Sequence, residues 1–286
     1  MSDVTAGTLA PHGAVSITPR NIRFTTTLPP AATWLGGDRV GTAIFNALSL
    51  TFPDGERMFM DAVRHYKHLV DGPLLADANA FITQEAIHTR EHVALNKVMD
   101  GGHYPLDEIR AHIRKNIAIA EYLGPMTMLG ATISLEHFTA LLGDSILRNP
   151  AQLDGAPEDV QRLWQWHALE ETEHKAVAFD VFMVATKDWK GWRRYLMRAQ
   201  AMIITSFKFT THLVRYASQL LQADGMSRMQ ATSRVIWYMF GSPAFFRRGL
   251  KGYWSWFRPR FHPWDHNNSA RLEQWRAKFE QAPVVV

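Results

Sequence analysis

Two short stretches decide the fold: Glu85-Ala-Ile-His88 and Glu171-Thr-Glu-His174. In a helix, residues three apart occupy adjoining positions on one face, so each stretch can bring a carboxylate and an imidazole to the same ion. That donor pair suits Fe(II), Mn(II) or Zn(II). Two more glutamates fall on neighbouring elements, Glu56 in Asp54-Gly-Glu-Arg57 and Glu136 in Ser134-Leu-Glu-His137. The chain order is Glu, Glu-x-x-His, Glu, Glu-x-x-His.

This is the ligand order by which ferritin-like bundles bind a pair of metals. A single Glu-x-x-His arises often by chance; two with interleaved glutamates are far more specific. The spacing predicts an up-down helix pair, a long crossover with an extra helix, and a second pair. The expected fold is therefore all-α, a ferritin-like four-helix bundle with additional C-terminal helices. Within it Glu85 and Glu171 are the natural bridges between two ions and carry the chemistry, and Glu56 and Glu136 are terminal ligands. The neighbours of Glu85 (Phe81, Ile82, Ala86) and of Glu136 (Ile133, Leu135, Phe138) are apolar. A carboxylate among such residues needs a partner or a metal.

His167 stands one turn before Glu171, as His-x-x-x-Glu-x-x-His. It reads as a third histidine on the cluster, and alternatively as one that orients a ligand. His92, one turn past His88, reads as an orienting or core residue. A competing motif overlaps here: His88-Thr-Arg-Glu-His92 has the pattern of inverted zinc peptidases, with Glu91 as base. It leaves Glu56, Glu136 and the second Glu-x-x-His without a role. Ala140 and Gly143 follow Glu136 on nearly its face, leaving room for dioxygen or allowing close helix packing.

Outward from these motifs the chain reads as helical. Arg39 to Leu50 is followed by an interruption at Phe52-Pro53-Asp54-Gly55, with Asp54 as cap for a restart. Further helices are predicted at about Leu74–Met99, Leu106–Tyr122, Pro125–Leu147 and from Pro157 through Ala185. Beyond them come Trp189–Gln222, Met226–Phe240 and Pro243–Trp256, then an irregular Phe257–Asn268. The domain reading is a mobile N-terminal arm over 1–34, a di-metal bundle over 35–186 and a basic, Trp-rich helical extension over 187–286, packed on or beside the bundle.

Composition narrows the chemistry. With 286 residues, 47% hydrophobic and 20% charged, the chain can bury a large core. It has no cysteine, which excludes disulfides, thiolate metal sites and cysteine nucleophiles. Met1 to Pro30 lacks a basic segment followed by an apolar run, so no secretory signal is expected. A cytoplasmic location is expected, peripheral on the inner face of the membrane. The net charge of +4 conceals a split: 14 Lys/Arg against 22 Asp/Glu in residues 1–186, then 17 against 5 in residues 187–286, with seven of the ten tryptophans. Mixed basic and aromatic residues suit an anionic membrane surface, and equally an extra helical layer on the bundle. No groove-reading motif accompanies them, so nucleic acid is not expected as a partner.

Several segments together resemble a known family. Asn46-Ala-Leu-Ser-Leu-Thr-Phe-Pro-Asp-Gly-Glu-Arg57, Gln84-Glu-Ala-Ile-His-Thr-Arg-Glu-His92, Leu135-Glu-His-Phe-Thr-Ala140, Trp166-His-Ala-Leu-Glu-Glu-Thr-Glu-His-Lys175 and Phe261-His-Pro-Trp-Asp265 look like the bacterial family labelled predicted metal-dependent hydrolases. The ligand pattern is also similar to ferritin-like di-iron oxygenases, with the extra-histidine spacing of p-aminobenzoate N-oxygenase. That resemblance implies Glu56, Glu85, His88, Glu136, His167, Glu171 and His174 as ligands to two iron ions, with manganese or zinc as substitutes. It implies dioxygen and an external electron donor as partners and an apolar or amine-containing small molecule or lipid as substrate. Metal-dependent hydrolysis through an activated water is the alternative, and iron binding or storage a third reading. The long basic tail departs from the oxygenase pattern.

Overall fold

Asp38 opens the first helix: its carboxylate accepts the backbone N–H groups of Val40 and Gly41, each at 3.0 Å. These are donors that a helix start leaves without partners. The computed structural model describes residues 17–24, 28, 33–100, 102–244 and 246–281. In it the first helix, α1 (Arg39–Tyr66), runs straight through the predicted interruption. Pro53 has no N–H for the Ser49 carbonyl. Asn96 of the next helix supplies the missing donor, its side-chain amide reaching that carbonyl at 2.9 Å. The predicted break and Asp54 cap are thus corrected by a tertiary hydrogen bond, and the unbroken helix carries Glu56 inward.

The helices that follow are α2 (Gly72–Asn96), α3 (Leu106–Tyr122), α4 (Pro125–Arg148), α5 (Glu158–His174) and α6 (Val177–Ala185). The last four are α7 (Gly191–Ala223), α8 (Arg228–Ile236), α9 (Leu250–Ser255) and α10 (Ser269–Gln281). No strand occurs among the described residues, and the chain is all-α as expected. One predicted helix divides: the run from Pro157 to Ala185 turns at Lys175 and Ala176. Lys175 is buried there, its ammonium on the His266 carbonyl at 2.7 Å and on Asn268 Oδ1 at 2.9 Å. The helix predicted over Pro243–Trp256 shortens to a 3₁₀ turn and α9, and α10 was not foreseen at all.

α1 packs along α2 and α4 along α5, while α1 also meets α4 and α2 meets α5, so the inner faces of these four helices turn toward one another. α7 crosses α1 and α4, α8 lies on α7, α9 on α4, and α10 on α5. Much of the basic region therefore forms a layer on the inner helices. Trp256 is fully buried there, and the buried Arg198 guanidinium lies 5.3 Å from its ring. Trp275 donates to the Leu147 carbonyl at 3.1 Å. Trp192, Trp237 and Trp254 stay exposed.

Of the arm expected over 1–34, residues 1–16, 25–27 and 29–32 lie outside the described residues. Residues 17–24 of that arm are packed on α2 and α5. Arg20 bridges Glu170 and Glu173, and Phe24 lies against Trp166 with ring centroids 5.4 Å apart. Both acids are buried, and the arginine supplies the positive charge they need there, while the Phe24 N–H donates to Glu91 at 3.0 Å.

Candidate metal centre

Four helices deliver the seven candidate ligands to one place: Glu56 from α1, Glu85 and His88 from α2, Glu136 from α4, and His167, Glu171 and His174 from α5. None is more than 4% exposed. Glu56, His88 and His167 offer ligand atoms that all lie within 4.8 Å of one another, and Glu85, Glu171 and His174 do the same. Glu136 adjoins the second group, its Oε2 3.2 Å from His174 Nε2.

Glu171 faces both groups. Its Oε1 is 3.0 Å from His167 Nε2 and 3.6 Å from His88 Nδ1, while Oε2 is 3.5 Å from His174 Nε2. Glu85 does likewise, with Oε1 3.1 Å from His174 Nε2 and Oε2 4.0 Å from His88 Nδ1. The two Glu-x-x-His motifs thus set their carboxylates between the two groups.

Each imidazole is held by its far nitrogen. His88 Nε2 lies 3.1 Å from Glu170 Oε2, His167 Nδ1 is 2.9 Å from His92 Nε2, and His174 Nδ1 is 2.9 Å from Gln84 Oε1. His92 in turn rests on Ser49 Oγ at 2.8 Å. Such outer partners fix ring orientation and tautomer at metal sites. They leave His88 Nδ1, His167 Nε2 and His174 Nε2 facing the centre.

Those same three nitrogens have no hydrogen bond of acceptable geometry, and neither do Glu56 Oε1, both oxygens of Glu85 and Glu136, and Glu171 Oε2. Among the described residues, nine of the fourteen buried polar side-chain atoms without a partner belong to these seven residues, and every one of the seven contributes. Native interiors leave only a few such atoms per hundred residues, and scattered rather than gathered at one point. A convergent set of nine fits metal. Charge agrees: two divalent ions would balance four carboxylates, whereas one would leave a buried net negative charge.

The metal-free electrostatics show how poorly protons alone serve the cluster. Burial pushes the Glu56 and Glu85 carboxyls up and Glu136 to about 8. Burial would lower His88, but the carboxylates of Glu170, Glu171 and Glu85 around it win and raise it to about 10. Burial drives His167 down to about 4, with the His88 charge adding to it.

Aromatic rings wall the centre. Phe52 stacks on His167 at 4.7 Å, Phe81 meets His174 edge-on at 4.9 Å, and Trp166 meets His88 edge-on at 4.8 Å. A small cavity of about 20 Å³ touches His167, Glu171 and Gly143, enough for one water-sized molecule. Gly143 borders that cavity. A Cβ there would stand 2.8 Å from the Ala168 carbonyl, so its absence lets α4 and α5 close up beside that cavity.

The peptidase motif does not assemble. Glu91 turns away to Arg90 at 2.5 Å and to the Phe24 N–H at 3.0 Å, and His92 serves His167. Several supporting residues escaped the sequence reading, Gln84 and Ser49 among them. Glu170 and Glu173 flank Glu171 on the same turn, and three acids in four positions could have signalled that two of them need other partners. Arg20 and Arg276 supply those, Arg276 Nε reaching Glu173 Oε1 at 2.5 Å. No local pattern announces arginines so distant in sequence.

An all-α chain with a buried set of glutamates and histidines able to hold metal ions is the class that fold and site define. The chain belongs to the family described as predicted metal-dependent hydrolase, whose pattern matches residues 18–267. No curated protein and no solved structure matches it.

Proposed function

We propose that this chain is a dinuclear metalloenzyme of the ferritin-like kind that uses dioxygen to oxidise an apolar or amine-containing small molecule or lipid. Glu56, His88 and His167 would hold one ion and Glu136 and His174 the other, with Glu85 and Glu171 placed to serve both. The observation that carries this reading is the first group: one carboxylate and two imidazoles are the donor set of non-haem Fe(II) oxygenases. With both shared carboxylates added, that position offers more donors than the four zinc prefers. Iron, when bound, supplies the electron-transfer chemistry that no side chain here can perform.

The residues' own work is positioning and exclusion. His92, Glu170 and Gln84 hold the three imidazoles, and Phe52, Phe81 and Trp166 keep bulk water away. The balance requires an external donor: one oxygen atom enters the substrate, the other leaves as water, and two electrons and two protons are consumed. Metal-assisted hydrolysis is the second reading, supported by the family's description and by the water-sized cavity at Glu171. The two separate in one experiment. Protein purified without oxygen and loaded with ferrous iron should consume dioxygen and give a transient optical band. Efficient ester or amide hydrolysis by the zinc form, with an iron form inert to dioxygen, overturns oxidation in favour of hydrolysis.

We propose further that the outer face rests on an anionic membrane surface. Among the described residues no helix is long and apolar enough to cross a membrane. Ile203, Ile204 and Phe207 on α7 and Trp237 and Phe240 beyond α8 are nevertheless exposed, with Arg247, Arg248 and Lys251 exposed nearby in sequence. Apolar residues rimmed by cations suit a headgroup layer.

A further inference from the structure

A cavity of about 380 Å³ lies between α1, α3, α4 and α7. That volume is in the range that takes a whole small molecule. At its floor are Phe52, Glu56, Met58 and Phe59, all buried. Phe52 and Thr139 belong also to the wall of the small cavity at His167 and Glu171, so these two side chains stand between the two spaces beside the candidate centre. The sides are apolar, with Ile113, Leu135 and Leu213 among them. At the rim Ile119, Leu123 and Ile204 are exposed, as is Lys208.

The polar groups of this cavity are not evenly spread in kind. Apart from Glu56 at the floor, its ionisable lining residues are Lys208, His212 and Tyr216. Burial first, and then the nearby His112, Lys208 and Arg215, push His212 down to about 4, so it stands neutral. Lys115 and Arg215 act on the adjoining His112 in the same direction. No carboxylate is among the groups that act on either histidine. Among the described residues Lys115, Lys208 and Arg215 have no ion-pair partner. An apolar cavity with the centre at its floor and a set of unpaired cations beside it is asymmetric in the way an amphiphile is.

We infer that this cavity takes a single-chain amphiphile with an anionic head, its apolar end directed at Glu56 and its head held by Lys208 with Lys115 and Arg215 beside it. This rests on the reading that Glu56 is a ligand of the reacting centre. The cations add attraction for an anion and repel a cation, and the apolar walls contribute burial for any alkyl chain.

The test is calorimetric titration of the metal-loaded full chain with dodecanoate, dodecyl phosphate, dodecanol and dodecyltrimethylammonium, each kept below micelle formation. Wild type should bind the two anions tightest and the ammonium weakest; a preference between the anions tells a carboxylate source from a phosphate one. Lys208→Glu should weaken dodecanoate by about tenfold and leave dodecanol unchanged. Ala131→Trp, which fills the wall, should remove binding of both, with metal content and circular dichroism showing that each variant folds. Equal affinity for all heads, or dodecanoate binding unaltered in both variants, overturns the inference. Binding needs no turnover, so it also separates from the proposed reaction. Head-selective binding by a chain inert to dioxygen sinks the oxidation and keeps the ligand; dioxygen consumption without dodecanoate binding does the reverse.

Discussion

The inner helices α1, α2, α4 and α5 and the outer face of α3, α7 and α8 are inverted relative to an ordinary globular protein. Inside, four carboxylates and three imidazoles of the candidate centre are almost wholly buried; outside, Phe207 is 71% and Trp237 66% exposed. Buried charge and exposed apolar bulk are each costly in isolation. Their coexistence teaches that neither region was shaped by folding stability alone. The inner one offers a convergent donor set that suits cations which protein atoms do not provide, and the outer one is the face proposed above to meet a membrane surface.

The largest effect is expected where one residue serves both metal groups. Glu171→Ala or Glu85→Ala should take metal content from two ions per chain toward none, by elemental analysis of protein still helical by circular dichroism. Full occupancy in both variants would break the assignment of the inner region. Next comes removal of the metal itself. At a thousandfold excess over its dissociation constant a ligand contributes about 4 kcal/mol, which for a chain of this size is roughly 10 °C of melting temperature. Chelation should lower the melt by that order, and Arg247→Glu plus Arg248→Glu, in the outer region, should not alter the difference.

A finer test addresses the residues that hold the rings. His92→Phe and Gln84→Leu should each weaken metal affinity by about 10–100-fold without changing the stoichiometry at saturation. Unchanged affinity would mean that the imidazoles orient themselves. The smallest effect belongs to the outer face. Basic residues near an anionic leaflet contribute about 1 kcal/mol each, so Arg247→Glu plus Arg248→Glu should reduce co-sedimentation with anionic vesicles by a few tens of fold, and salt should do the same. Ile204→Asp plus Phe207→Asp should weaken it through the apolar part. Metal content should be wild-type in all of these, which keeps the two regions independent; absence of vesicle binding in the wild type returns the outer face to a packing layer.

Legibility differed between the regions for the same reason that they differ in kind. The grouping of the candidate ligands was legible because they come in fixed local offsets, Glu85 with His88 and His167 with Glu171 and His174, and helical geometry converts offset into direction. The amphipathic helix Leu106–Tyr122 was legible to the residue on the same ground. The outer region offered composition without offsets. Counting seven tryptophans could not tell Trp256, which is buried, from Trp254, which is 65% exposed.

By itself the sequence determined that the chain is helical, that two helices each aim a carboxylate and an imidazole the same way, and that any metal must be held by oxygen and nitrogen. Those are consequences of local periodicity and of residue types present or absent. Only the tertiary structure decided that α1 continues past Pro53, because the donor that replaces the missing N–H is Asn96, 43 residues away from Pro53 in the chain. It alone decided that α5 ends at Lys175, where a buried ammonium is drawn to His266 and Asn268, and that Arg20 and Arg276 meet over Glu173. A hydrogen bond or ion pair between distant segments leaves no period in the sequence, and it exists only once both partners have been folded into reach.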